Sequence, residues 1–392
     1  MRHFDQLAEG VRRELFHLAP ESFERTSERS VLAHALGATL YVPATRNDLA
    51  STVRRRAARG VRSMVIDLED AIADPSVDAA VGSTGAVLSE LGEDPPDSLL
   101  FVRVRSAAQI RELALALGPD QRIVSGFVLP KFSTKTGEEY LQAVTEIDAR
   151  SAHPVYAMPV LETPEVLYRE TRETELVGIR ELLDRYRPQV LTVRIGATDL
   201  CGLFGIRRDR DLSIYDVGVA ADLITQVVNQ LGRTDGTGFA ITGPVWEYFA
   251  NHERILRPQL RQTPFADRHA DELRRSLMSR DLDGLMREII LDRANGLTGK
   301  SVIHPSHIAP VHALAVVPHE EYLDALDIVE PESAHGGVRT SGYRNKMNEM
   351  RPHRNWADRT LLRARVFGAA AAGISHIDIL TAQQQSELQE AG

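Results

Sequence analysis

Eight short runs of β-branched and other apolar residues recur along the chain, each followed by a polar loop. They span Ala38–Pro43, Ser63–Asp70, Leu99–Val104, Gly126–Lys131, Pro154–Glu162, Val190–Gly196, Phe239–Pro244 and Lys300–Pro305. Their apolar character is nearly continuous rather than alternating, as expected of strands buried on both faces. Most are separated by stretches of helical period, such as 47–60 and 217–232, with Gly60 and Gly232 placed as helix stops. Strand and helix alternating eight times predict parallel pairing, and a closed (β/α)8 TIM barrel is the economical solution. An open doubly wound sheet is the rival, but no Gly-x-Gly-x-x-Gly follows the first run. The pattern divides the chain into a helical N-terminal segment (1–36) capping the barrel, the barrel itself (37–330), and a C-terminal extension (331–392). The extension reads as a Gly-rich loop from Glu330 and then a helix over Trp356–Gly373. The connection before the eighth run is long and carries an Arg- and Asp-rich stretch, Arg254–Asp283.

Composition narrows the classes. The 392 residues carry 46 Lys and Arg against 55 Asp and Glu, a net charge of −9 that argues against a nucleic-acid partner. No apolar stretch approaches the roughly 18 residues of a membrane helix, and the N-terminus lacks a secretory apolar core, so a cytoplasmic protein is expected. A single cysteine, Cys201, excludes a disulfide framework and any Cys-cluster metal site. Charge is uneven, however. Between Arg339 and Arg365 stand eight basic residues against Glu349 and Asp358, a local +6 that reads either as a solvated helix face or as an anion site.

In a TIM barrel the chemistry lies at the C-terminal ends of the strands. There the sequence places Asp67, Glu69 and Asp70 at the end of the second run, Arg103 and Arg105 on the third, Lys131 on the fourth, Glu162 on the fifth, Asp199 after the sixth and His304 on the eighth. Carboxylates that converge repel one another, and a hard divalent cation such as Mg2+ relieves them, keeping waters and substrate as its other ligands. Arg103 is then placed to clamp a substrate carboxylate.

Seven motifs in order carry a resemblance. They are LYVPATR from Leu40, VIDLEDAIADP from Val65, FVRV from Phe101, VLPK from Val128, VLETPEV from Val160, GATDLCGLFG from Gly196 and GLTGKSVIHPSHI from Gly296. Together, over residues 38–330, they resemble the HpcH/HpaI aldolase and citrate lyase β-subunit-like family. The text from Asn345 to Gly368 resembles a longer subfamily of C–C bond lyases of the TIM-barrel fold. The resemblance implies a Mg2+-dependent carbon–carbon lyase or aldolase acting on a hydroxy acid with a 2-oxo-acid half. It implies Glu162 and Asp199 as metal ligands, Arg103 as the group that holds the oxo acid, and Glu69 and Asp70 as a catalytic acidic pair beside the metal waters. It also implies a homo-oligomer whose neighbour lends a C-terminal acid, for which Asp324 and Asp327 are the candidates here.

The sequence departs from that family where Arg105-Ser106 replaces Asn-Pro, where no acid follows Pro130-Lys131, and in being about 100 residues longer. These changes leave the metal ligands alone but open the question of whether the partner half is an acyl-CoA, a phosphorylated group or neither. Arg351 and Arg354, in the basic segment, are expected to bind that anionic half. Two other readings are a pyruvate- or phosphoenolpyruvate-type aldolase on the same metal site and a non-catalytic 2-oxo-acid-binding barrel.

Plainer explanations stand beside several of these residues. Glu162 precedes Thr163-Pro164 and Asp199 opens a helix, so either would serve at a helix N-terminus. His304, His307 and His312 surround a proline turn and are expected to pack rather than ligate. Gly296–Ser301 looks like a phosphate loop, but the glycine that motif needs is Ala294 and the order runs helix to strand. Cys201 is expected to be a small apolar filler.

Overall fold

A computed structural model describes residues 1–70, 72, 77–118, 123–249, 282–330 and 336–391. Eight parallel strands close into a barrel: β1 (Ala38–Pro43), β2 (Ser63–Asp67), β3 (Leu99–Arg103), β4 (Val124–Leu129), β5 (Tyr156–Leu161), β6 (Val193–Ile195), β7 (Ile241–Trp246) and β8 (Lys300–Val302). Closure is made by β1 and β8, with Ala38 beside Lys300 and Leu40 beside Val302. All eight sequence runs thus become barrel strands, and every residue of β2, β4 and β5 is buried. Strand β6 is shorter than its apolar run, because Val190 makes only an isolated bridge to Ala157.

Alternating residues of each strand feed two different cores. One set, including Leu40, Ile66, Val102 and Phe127, packs outward against the helices. The other, including Val65, Phe101, Met158 and Trp246, fills the barrel and merges with the chain termini. The N-terminal segment forms helices Glu9–Leu15 and Arg29–Ala35 and packs beneath the N-terminal ends of the strands. There Arg25 donates to the carbonyl of Ser98 and Arg29 to that of Val190, residues that lie ahead of β3 and β6.

The ends of the chain show what periodicity missed. Phe16–Leu18 is a strand, paired antiparallel with Ala369–Ala370. The helix expected over Trp356–Gly373 is instead Arg354–Phe367. Gly368 ends it at φ +83°, where a side chain would meet the Phe16 ring at 2.6 Å. The Ala-rich text beyond joins the sheet, and a further helix, His376–Ala391, follows. Within the Gly-rich stretch Val338–Thr340 and Met347–Glu349 form a hairpin, while residues 331–335 and most of the Arg- and Asp-rich stretch, 254–281, lie outside the described residues. Among the described residues, no helix is long and apolar enough to cross a membrane.

Candidate active site

The site grows from the last residue of β2. Asp67 is buried, and its Oδ1 accepts the backbone N–H of Glu69 at 3.0 Å, which turns the chain sharply at the barrel rim. Both its oxygens also accept from Arg103, Nε to Oδ1 and Nη2 to Oδ2, each at 2.7 Å. This two-pronged pairing and the Tyr41 ring, 5.3 Å from the guanidinium carbon, fix the arginine's plane. The remaining nitrogen, Nη1, points to the rim, 2.9 Å from Glu69 Oε2 and 3.3 Å from Asp70 Oδ2. Burial opposes the charge on Arg103, but the Asp67 hydrogen bonds outweigh it and hold its pKa above the usual value.

The chain just past β3 staples this loop. Arg105 donates from Nε to the Leu68 carbonyl at 3.0 Å and from Nη2 to the Glu69 carbonyl at 2.8 Å. Its own carbonyl accepts the Tyr140 hydroxyl at 2.8 Å. Where the resembled family has Asn-Pro, this chain therefore has a side chain that holds the acidic loop by its backbone.

Lys131 follows β4 at φ +47°, a left-handed conformation uncommon for a side-chain-bearing residue and characteristic of sites where the surroundings over-determine the backbone. In this pose its N–H donates to Glu162 Oε1 at 2.8 Å. Its ammonium bonds to Glu69 and lies 3.8 Å from Asp70 and 3.9 Å from Asp199. Burial works against that charge, and the Glu69 bond with Asp70 and Asp199 prevails, raising its pKa.

Glu162 lies just past β5 and is buried. Burial first, and then the neighbouring Asp199, push its pKa up to about 8. Gly196, just past β6, makes room for it: a Cβ there would fall 1.9 Å from Glu162 Oε2. Asp199, in the first turn of helix Ala197–Gly202, is also raised, by burial working against Lys131 and by Asp70. Glu69 is raised by burial, despite Arg103 and Lys131.

Glu69, Asp70, Arg103, Glu162 and Asp199, singled out from the sequence, thus converge on one mouth. Arg351 and Arg354 do not join them. Arg354 donates to the Val329 carbonyl, and the helix it opens docks at the other end of the barrel through Asn355 to Thr234 and Arg359 to the Gly296 carbonyl. Much of the basic segment is paired, Arg339 with Asp327, Lys346 with Asp324 and Glu320, and Arg363 with Glu321. Asp324 and Asp327 are engaged in those pairs, away from the mouth. His304 stacks on Phe249, while the buried His307 and His312 meet the Tyr248 carbonyl and the Ala38 N–H. Cys201 is buried, which pushes its thiol up. Sequence reasoning placed Asp67, Arg105 and Lys131 at strand ends without assigning them work. Only the closed barrel shows that Lys131 stands between the acids of three loops.

Residues 30–369 match the family described as C–C bond lyase of the TIM-barrel fold. The chain belongs to that family. The lyase is thereby a carbon–carbon lyase, as the motifs implied. No curated protein matches it in sequence. Among solved structures it resembles a citrate lyase from Burkholderia xenovorans, at 15% identity and a TM-score of 0.59, over 88% of this chain and 96% of that one. It also resembles CitE from Mycobacterium tuberculosis, in complex with magnesium, acetoacetate and coenzyme A. That match has 20% identity and a TM-score of 0.51 over 85% and 99% of the two chains. A pyruvate/acetyl-CoA ternary complex of Haloferax volcanii malate synthase matches at 13% identity and a TM-score of 0.50, over 91% and 92%. At these identities the likeness is one of fold.

Proposed function

We propose that the lyase cleaves or forms a carbon–carbon bond of a hydroxy acid one half of which is a 2-oxo acid, at a Mg2+ site on Glu162 and Asp199. The observation that carries this reading is the buried Glu162 carboxyl, pushed up to about 8 beside Asp199 in a cradle that a Cβ at position 196 would fill. Two crowded oxygen ligands of this kind suit a hard cation. Among the described residues no group of three His, Cys, Asp or Glu side chains is arranged to hold an ion, so water and substrate would complete the shell. When bound, Mg2+ supplies Lewis-acid stabilisation of the charge that develops on the 2-oxo-acid oxygen. The magnesium in the mycobacterial CitE complex supports the same choice of cation.

The protein's own groups divide the remaining work. Arg103 is anchored by Asp67, and its 3.3 Å contact with the half-exposed Asp70 is the weakest of its ion pairs. A substrate carboxylate replaces Asp70 on Nη1, which orients the bond to be broken. Asp70, so released, takes the hydroxyl proton as that bond breaks and returns it in the reverse direction. Glu69 is engaged by Arg103 and Lys131 and holds both in place. Lys131 donates toward the oxygen on which charge accumulates.

Calorimetric titration of oxaloacetate, glyoxylate and pyruvate, with and without Mg2+, tests the reading beside a Glu162→Ala/Asp199→Ala double variant. The expected result is Mg2+-dependent binding of at least one acid, lost in the variant. Metal binding without acid binding would sink the 2-oxo-acid assignment, and no metal binding would sink the metal site.

A further inference from the structure

A second cavity lies at the opposite end of the barrel, between the N-terminal ends of the strands and the helix Arg354–Phe367. Its volume is about 530 Å3, the size of a small-molecule site. Three arginines line it, Arg293 from the helix before β8 and Arg359 and Arg363 from the C-terminal helix. Arg359 donates to the Gly296 carbonyl and Arg293 to the Leu314 carbonyl. Among the described residues neither has a carboxylate partner. Arg363 pairs with Glu321 at 2.7 Å, yet its buried Nε has no partner among the described residues. The other acid on the lining, Asp292, is committed to Lys300 at 2.7 Å. The cavity therefore carries three guanidinium charges against one unshared carboxylate. The crowding is felt: burial first, then Arg293 and Arg359 working against Glu321, bring Arg363 down to about 10.

The lining also carries the apolar side chains of Ile289, Leu297, Val311 and Leu314, and Trp356 stands on it with its side chain partly exposed. The turn Gly296–Gly299, which looked like a phosphate loop, also lines the cavity. Its lysine does not: Lys300 is buried between Glu288 and Asp292. Of the basic segment, Arg359 and Arg363 line this cavity, whereas Arg351 and Arg354 do not.

We propose that this cavity binds a phosphomonoester carrying a flat or apolar organic group, at a site separate from the barrel mouth. A phosphomonoester carries about two negative charges and three acceptor oxygens at neutral pH, which matches the excess of two guanidinium charges and their fork-like donors. The organic group lies against the apolar side chains and Trp356.

The test titrates inorganic phosphate and adenosine 5′-monophosphate separately into the intact protein, by calorimetry and by tryptophan fluorescence. Trp246 is wholly buried in the barrel, so quenching that disappears in Trp356→Phe reports this cavity. Saturable binding is expected, about tenfold or more tighter for the nucleotide than for phosphate, and about tenfold or more weaker in Arg359→Gln. Arg359→Gln gives up the bond to the Gly296 carbonyl together with the like-charge repulsion, so its own Tm is the reference, and the ligand-induced rise in Tm is expected to be lost. Binding should persist in Glu162→Ala/Asp199→Ala, which separates this site from the mouth. The proposal is overturned if neither probe saturates, if Arg359→Gln and Arg293→Gln bind as the parent does, or if the double variant at the mouth abolishes binding.

Discussion

Two ion clusters stand in the same barrel and have opposite characters. In the wall, helix Leu282–Ala294 presents Glu288 and Asp292 to Lys300 and Arg208, two carboxylates against two cations, all buried. The Ile214 N–H and the Tyr215 hydroxyl supply further hydrogen bonds to the acids. At the mouth, five carboxylates (Asp67, Glu69, Asp70, Glu162 and Asp199) share two cations, Arg103 and Lys131. The residue types are the same; what differs is whether the charges balance. A balanced buried cluster is structural, because removing one member strands its partner. The unbalanced one lies at the strand ends, where burial first, and like-charged neighbours after it, raise Glu69, Glu162 and Asp199. Burial raises Asp292 in the wall as well, so the count of charges rather than the shift tells the two clusters apart.

Lys300→Met is the strongest way to break this contrast. It leaves two buried acids short of a partner and is expected to cost about 3–5 kcal/mol in urea unfolding, while any folded fraction keeps Mg2+-dependent binding at the mouth. Gly196→Ala drives a methyl into Glu162, and an expected loss of about 1–3 kcal/mol should accompany loss of metal binding in calorimetry. Glu162→Gln sharpens the comparison from the other side. It removes a carboxyl that the metal-free site holds against its charge but keeps an acceptor for the Lys131 N–H. Metal-free stability should rise by about 1 kcal/mol at neutral pH while metal binding falls. Destabilisation on the scale of Lys300→Met would show that the mouth is as structural as the wall.

The smallest effect concerns the buried histidines. Burial pushes His312 down to about 3 and His307 down to about 4, so both stay neutral in the native state while the unfolded chain protonates near 6.5. Unfolding then takes up protons, and their contribution costs stability as the pH falls from about 6.5 towards 4. His312→Gln, which retains an acceptor for the Ala38 N–H, should flatten that slope in denaturation series at stepped pH. An unchanged slope would mean that His312 does not contribute to it.

The barrel was legible because buried parallel strands advertise themselves as continuous apolar runs, and the strand-end rule then placed Glu69, Asp70, Arg103, Glu162 and Asp199 at one mouth. The extension was not. The Ala-rich text after Phe367 has helical composition, yet Gly368 takes a left-handed turn against Phe16 and sends it into a sheet with a strand more than 300 residues away in sequence. Local propensity carries no record of such a partner.

The amino-acid sequence by itself determined the strand number, the acids at the strand ends and the membership in a lyase family, since each is written in local pattern and motif. Tertiary structure alone decided which charges are spent. Lys300 in a phosphate-loop-like string lies buried between two acids, Lys131 stands among the acids of three loops, and Arg351 and Arg354 lie away from the mouth they were expected to serve. Charge balance is a sum over neighbours in space, and neighbours brought together from distant parts of the chain leave no mark on the text around any one of them.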